Sequence, residues 1–242
     1  MESQVFDRVE KKYLITAQQK TRLLKLIRKH MKKDGYYRSE VSNLYFDTDT
    51  YDLIIQSIDR PEFKEKLRAR SYLGYDRVFL EIKTKLKGRD VNVGYKRRIM
   101  ITRKEFDEFV KKGTSVSALI SRANRPAHDI QIAGEIDYLV QHFDLKPKIL
   151  LTYDRESYKG EDNLRITFDE NLRFRDKNLS LNKGKRDKIY FKDKQNIIME
   201  IKAHGVIPLW LVKAMSGEHI YPQQFSKIGK VYTKLNQKGK HV

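Results

Sequence analysis

Four short stretches of this chain set charged residues two or four positions apart, with apolar or small residues between them. They are Arg68-Ala69-Arg70, Glu81-Ile82-Lys83, Arg165-Ile166-Thr167-Phe168-Asp169 and Glu200-Ile201-Lys202. Successive side chains of a β-strand point to opposite faces, so each stretch reads as a strand with one charged and one apolar face. One such strand is an ordinary surface strand. Several, weighted toward Arg and Lys, predict the staves of a barrel with a basic lumen and a covered outside.

The bland alternative is a solvated, Lys/Glu-rich sheet face. The apolar partners argue against it, because Leu67 and Ala69, Val78, Leu80 and Ile82, Leu164, Ile166 and Phe168, and Ile197, Met199 and Ile201 all need cover. Amphipathic helices outside a barrel would supply that cover and turn the charged faces inward. The candidate inward cations are Arg8, Lys12, Lys66, Arg68, Arg70, Lys83, Lys96, Arg98, Arg155, Arg165 and Lys202. The candidate inward carboxylates are Glu10, Glu81, Asp169 and Glu200. Cations outnumber carboxylates, and each unpaired buried charge costs several kcal/mol unless water or a counter-anion meets it. Arg fits phosphate oxygens bidentately and Lys supplies point charge. A few carboxylates among them suit a divalent metal bridging to phosphate. The expected occupant is a chain of phosphates with Mg²⁺ or Mn²⁺.

The whole-chain charge agrees. Lys and Arg number 51 against 32 Asp and Glu, a formal +19, which points to nucleic acid, nucleotide, a phosphate polymer or an anionic membrane surface. The absence of cysteine excludes disulfides, thiolate zinc sites and a Cys nucleophile. Neither a Gly-x-x-x-x-Gly-Lys-Ser/Thr loop nor Gly-x-Gly-x-x-Gly occurs, which disfavours Walker and Rossmann sites. The six histidines show no metal-ligand spacing, and no Ser/His/Asp order stands out. There is no apolar signal region and no apolar run long enough to cross a bilayer, so a cytoplasmic protein is expected.

With no linker or repeat, residues 1–242 read as one domain. Strands are expected at 4–15, 39–46, 63–73, 76–85, 91–101, 148–157, 163–170, 188–192 and 196–204. Thr16 caps a helix carrying Leu23, Leu24, Ile27 and Met31, and Thr102 with Glu105 forms a capping box. Further helices are expected at 49–58, 115–124, 129–143, 207–215 and 222–236, the last with Pro222 in its first turn. The Lys/Gly/Asn-rich segment 175–187 reads as a mobile loop. The class is α+β, with an eight-stranded antiparallel tunnel closed as a barrel and surrounded by helices.

Several motifs together resemble a known family. Arg8-Val9-Glu10-Lys11-Lys12-Tyr13-Leu14, Leu44-Tyr45-Phe46-Asp47-Thr48, Lys66-Leu67-Arg68-Ala69-Arg70-Ser71-Tyr72, Phe79-Leu80-Glu81-Ile82-Lys83, Tyr95-Lys96-Arg97-Arg98, Tyr153-Asp154-Arg155, Leu164-Arg165-Ile166-Thr167-Phe168-Asp169, Ile198-Met199-Glu200-Ile201-Lys202 and Phe225-Ser226-Lys227-Ile228-Gly229-Lys230 occur in the order of the VTC domain. That domain is the catalytic part of polyphosphate polymerases in the triphosphate tunnel metalloenzyme superfamily. The resemblance implies transfer of the ATP γ-phosphate to the end of a polyphosphate chain, with Mn²⁺ or Mg²⁺. It implies catalytic phosphate-binding roles for Lys12, Arg68, Arg70, Lys83, Lys96, Arg155 and Arg165, and a metal role for Glu200 that Glu10, Glu81 or Asp169 would assist. Lys227 and Lys230 match a further basic pair near the tunnel mouth; Arg8, Lys66, Arg98 and Lys202 are expected to contact substrate.

One departure is informative. Hydrolases and cyclases of the superfamily begin Glu-x-Glu-x-Lys, whereas this chain has Arg8-x-Glu10-x-Lys12. The resemblance therefore favours polymerisation over the triphosphatase and cyclase branches. It also suggests a bacterial stand-alone form without the regulatory helical domain and membrane helices of the fungal proteins. A metal-dependent triphosphatase and a non-catalytic polyphosphate or nucleic-acid module are the alternatives. Nucleic acid is disfavoured by the modest interleaving of aromatics with the cations.

Overall fold

The computed structural model describes residues 8–59, 62–88, 92–121, 125–181, 187–190 and 196–239. In chain order the elements are β1 (Arg8–Ile15), α1 (Ala17–His30), β2 (Lys32–Asp47), α2 (Asp52–Asp59), β3 (Phe63–Tyr72), β4 (Arg77–Lys87) and β5 (Asn92–Thr102). There follow α3 (Arg103–Lys112), α4 (Val116–Ser121), α5 (Ala127–His142), β6 (Lys146–Lys159), β7 (Arg165–Arg175), β8 (Lys188–Ile189), β9 (Ile197–His204), α6 (Leu209–Gly217) and α7 (Lys227–Gly239). The α+β class and the antiparallel strands agree with the sequence reading.

Hydrogen-bonded strand order is β1-β9-β7-β6-β2-β3-β4-β5, with β8 pairing β7. Among the described residues β1 and β5 do not pair, so the sheet is not closed and the expected barrel is corrected to an open path. The physical reason is plain. Alternation decides which face of a strand is charged, whereas closure depends on two edge strands far apart in sequence meeting.

The chain forms two compact units. The first comprises residues 1–40, 153–172 and 189–225; the second comprises 41–152, 173–188 and 226–242. In the first, β1, β9 and β7 pair antiparallel. Their apolar face packs Tyr13, Ile15, Ile166, Phe168, Met199 and Ile201 against Leu23 and Ile27 of α1 and Leu211 and Met215 of α6. Helix α1 begins at a full capping box between Thr16 and Gln19, which satisfies two of its orphan N–H groups.

In the second unit β3 and β4 form a hairpin whose turn holds Gly74 at φ +79°, a left-handed conformation that favours glycine. Strands β2 and β5 flank this hairpin. Leu67, Ala69, Val78, Leu80, Ile82, Ile99 and Ile101 pack into one core with Phe106, Phe109, Leu119 and Ile136 of the helices. Helix α3 carries the expected Thr102–Glu105 capping box. Helix α7 starts at Lys227 rather than at 222, because the Ser226 hydroxyl accepts from the Gly229 N–H at 3.2 Å and fixes the first turn there. Strand β2 begins seven residues earlier than expected, since its first half is largely exposed and polar and offers no apolar alternation. No helix among the described residues is long and apolar enough to cross a membrane. Part of the segment expected as a loop, 182–186, lies outside the described residues.

Candidate phosphate-binding faces

In the second unit the strand register stacks the charged residues in rows across the sheet. Lys66, Lys83 and Lys96 stand opposite one another on β3, β4 and β5. The next row is Tyr45, Arg68, Glu81 and Arg98, and the one after it Asn43, Arg70, Phe79 and Met100. Like charges directly opposite destabilise a sheet. The repulsion within this row of three lysines is offset in part by Glu81, which pairs with Lys96, and by the apolar packing on the reverse face.

Glu81 anchors this face and is wholly buried, at 0% exposure. It accepts from Arg68 Nε at 2.7 Å and lies within 2.6 Å of Arg68 Nη2. It also pairs with Lys96, and Arg70 Nε is 4.0 Å away. Burial pushes its carboxyl up, but the Arg68 and Arg70 charges and the Lys96 hydrogen bond outweigh this and hold it at about 2. Lys96 is pushed down by the same burial and by the two arginines, against the attraction of Glu81. Arg70 donates its Nε to Asn43 Oδ1 at 2.9 Å. Arg68 Nη1 donates to the Tyr45 hydroxyl at 3.4 Å. Tyr45 is buried, which raises its phenol, yet Arg68, Lys66 and Arg70 bring it down to about 8. The Arg98 guanidinium lies 5.0 Å from the Phe79 ring centre.

In the first unit Glu10, Lys202 and Arg165 stand opposite one another on β1, β9 and β7, and Lys12, Glu200 and Thr167 form the adjacent row. Lys202 Nζ lies 3.4 Å from Glu10 Oε2 and 3.1 Å from Glu200 Oε1. Lys12 Nζ is 3.4 Å from Glu10 Oε1. Arg155 grips Asp169 bidentately, Nε to Oδ1 at 2.6 Å and Nη2 to Oδ2 at 2.8 Å, and lies over the Tyr153 ring. Burial works against the Arg155 charge, but Tyr153 and Asp169 outweigh it and raise the pKa above its ordinary value. Arg165 donates to Ser157 Oγ at 3.1 Å and pairs with Asp34 at 3.0 Å, and Ser157 in turn donates to Asp34 at 3.0 Å.

Lys66, Arg68, Arg70, Lys83, Lys96, Arg98 and Glu81 thus share one face. Lys12, Arg155, Arg165, Lys202, Glu10, Asp169 and Glu200 lie on β1, β6, β7 and β9 of the other unit. Arg8 pairs with His204 through the backbone, and its side chain lies outside the described ones. Lys227 and Lys230 occupy the first turn of α7, half-buried and exposed respectively.

A divalent cation needs oxygen ligands at short range, and Mg²⁺ commonly takes one or two carboxylates with phosphates and water completing its shell. Glu10 and Glu200 fit that donor set, because Lys202 Nζ already bridges them as a cation. Among the described residues no cluster of three or more His, Cys, Asp or Glu is arranged to hold a metal alone. Glu81 and Asp169 are instead gripped by guanidinium groups.

Sequence reasoning passed over Tyr45, Asn43, Ser157 and Asp34. Tyr45 and Asn43 were within reach: they sit two apart in a strand, so the alternation that placed Arg68 and Arg70 places them on the same face. Asp34 lies in the polar half of β2, where no pattern marked it.

A family model of the VTC domain matches residues 7–236. Vacuolar transporter chaperone complex subunit 4 of Schizosaccharomyces pombe is 23% identical over 189 residues, which are 70% of this chain and 26% of that protein. The chain thus spans about a quarter of that relative's length, at 26%. A putative adenylyl cyclase from Hippeastrum, described as having a dominant triphosphatase activity, shares the fold with a TM-score of 0.54. It is 15% identical, and the match covers 94% of this chain and 96% of that one.

Proposed function

The chain belongs to the VTC domain family, and on that premise we propose that it is a polyphosphate polymerase, transferring the ATP γ-phosphate to the end of a growing polyphosphate chain. The observation that carries this reading is the stacking of basic residues in successive rows, Lys66, Lys83 and Lys96 beside Arg68 and Arg98. Cations one strand apart within a row, with rows two residues apart along the strands, match a ligand whose charge repeats along its length. A single phosphate needs only one row.

Phosphoryl transfer asks the protein for alignment and charge neutralisation rather than covalent chemistry. In this reading Arg68, Arg70, Lys83 and Lys96 hold phosphates on the face of one unit, and Lys12, Arg155 and Arg165 hold phosphates on the face of the other. Asn43, Glu81, Asp169 and Ser157 fix the guanidinium planes before substrate arrives. The terminal oxygen of polyphosphate is already anionic, so no general base is needed. It forms a bond to the γ-phosphorus as the bond from that phosphorus to the β–γ bridging oxygen breaks, and ADP leaves with the electron pair. Lys66, Arg98, Lys202, Lys227 and Lys230 hold flanking phosphates. Glu10 and Glu200 would hold Mg²⁺ or Mn²⁺, which supplies charge neutralisation on the phosphate oxygens when bound. Residues 1–242 act as one domain in the cytoplasm, where ATP is available.

The test is incubation of the purified protein with ATP and Mn²⁺, resolving products by length on a gel. Polymer longer than the nucleotide's own three phosphates is expected, and Glu200→Ala is expected to lose turnover while still binding added polyphosphate. Release of orthophosphate alone would assign a triphosphatase, and binding with no turnover in the unaltered protein would assign a binding module.

A further inference from the structure

The largest exposed aliphatic feature of the first unit lies away from its charged strand faces, in the segment joining β9 to α6. Val206 is 82% exposed, Leu209 66% and Val212 41%. Gly205, at φ +72°, turns the chain out of β9, and Pro208 opens α6, accepting from the Leu211 and Val212 N–H groups. Two faces of the helix are thereby separated. Leu211 and Met215 enter the core, while Leu209 and Val212 face solvent. Trp210 sits at the boundary, half-buried and stacked on His30 with ring centres 4.3 Å apart. It is the only tryptophan in the chain.

That stack brings the last turn of α1 alongside, and this turn is basic: Arg28, Lys29 and His30. Lys29, next to His30, and Lys213, next to Val212, are exposed, whereas Arg28 bonds Tyr158 on the other side of α1. The feature therefore combines protruding aliphatic side chains, a tryptophan at their base and flanking ammonium groups. Aliphatic insertion, an interfacial aromatic and basic flanks are the ingredients of peripheral binding to an anionic bilayer. A side chain standing 82% clear of the surface suits a headgroup layer better than a flat protein interface. A second copy is disfavoured because each chain would bring the same basic flanks to the contact.

We propose that Val206, Leu209 and Val212, flanked by Lys29 and Lys213, form a docking surface for an anionic lipid bilayer. The surface is distinct from the strand faces assigned to phosphate, so this proposal stands or falls independently of the polymerase reading.

The test uses the full chain with vesicles of phosphatidylcholine, with and without phosphatidylserine. Only the anionic vesicles should co-sediment the protein and shift the emission of Trp210 to the blue, and raised salt should weaken both effects. The Val206→Asp/Leu209→Asp double variant should weaken partitioning about ten-fold or more, with polyphosphate binding and thermal melting unchanged. Undiminished vesicle binding by that variant would overturn the proposal, since net charge alone would then explain it. So would absence of vesicle binding in the unaltered protein. Concentration-dependent self-association that the double variant abolishes, without any vesicle effect, would reassign the surface to a second copy.

Discussion

Glu81 holds three cations in place from a fully buried position, and its titration ties stability to pH. Its carboxyl falls from an ordinary 4.5 to about 2 on folding. A depressed pKa means the folded state prefers the charged form. The corresponding stability, on the order of a few kcal/mol, is complete above pH 4.5 and drains away as pH falls toward 2. Glu81→Gln should therefore lower the unfolding free energy from urea titration at pH 7 by about 3 kcal/mol, as for other broken buried pairs. The gap to the unaltered protein should close as the pH approaches 2. Tyr45 makes a second residue-level prediction. With its phenol at about 8 among Lys66, Arg68 and Arg70, tyrosinate forms as pH rises through 8 and competes with phosphate for those cations. Polyphosphate affinity should show a fall centred near pH 8, and Tyr45→Phe should remove that step while retaining binding at pH 7. A fall of equal size in the variant would assign the step elsewhere.

At the scale of elements, one lysine adds a polar tie to the apolar packing of Leu23 and Ile27 that holds α1 on the sheet of the first unit. Lys20 lies 3.0 Å from Glu156 and pairs with Glu170, and its ammonium lies over the Phe168 ring. Glu156 also pairs with Arg38 at 2.8 Å. Burial raises the Glu156 carboxyl, but Lys20 and Arg38 together bring it below its ordinary value. Lys20→Met should leave two partly buried carboxylates without their shared cation and lower the melting temperature at pH 7. The difference should shrink in acid as Glu156, held below its ordinary carboxylate range, takes up its proton, which a pH series of melting curves would show. Elements also divide by how well the sequence announced them. The capping box at Thr102 was visible because Glu105 follows three residues on, and the hairpin turn because glycine stands at position 74. The start of α7 was misplaced because Pro222 is an acceptable first-turn residue, while the competing cap at Ser226 acts through a hydroxyl that only the fold positions.

For the whole molecule, the charged and apolar faces were readable because strand alternation is a local rule, and the same rule gave Arg68, Arg70, Glu81, Glu200 and Lys202 their side of the sheet. The strand path was not readable. Whether β1 meets β5 depends on pairing across the whole chain length, and the open order corrects an inference drawn from composition of faces alone. The partners of the cations were only half readable: Glu81 and Asp169 carry guanidinium groups, whereas a pattern of carboxylates among cations suggested metal for both. A chain of formal charge +19 that binds a polyanion should also lose affinity steeply between low and physiological salt. Neutralising Lys66, Lys83 and Lys96 together by substitution with Gln should flatten that dependence.

The central claim is polymerisation, and ³¹P NMR of the reaction with ATP and Mn²⁺ addresses it most directly. A resonance from internal phosphates of a linear polymer, growing in step with ADP, is the predicted result. Growth of orthophosphate in step with ADP, with no internal phosphate signal, would contradict it.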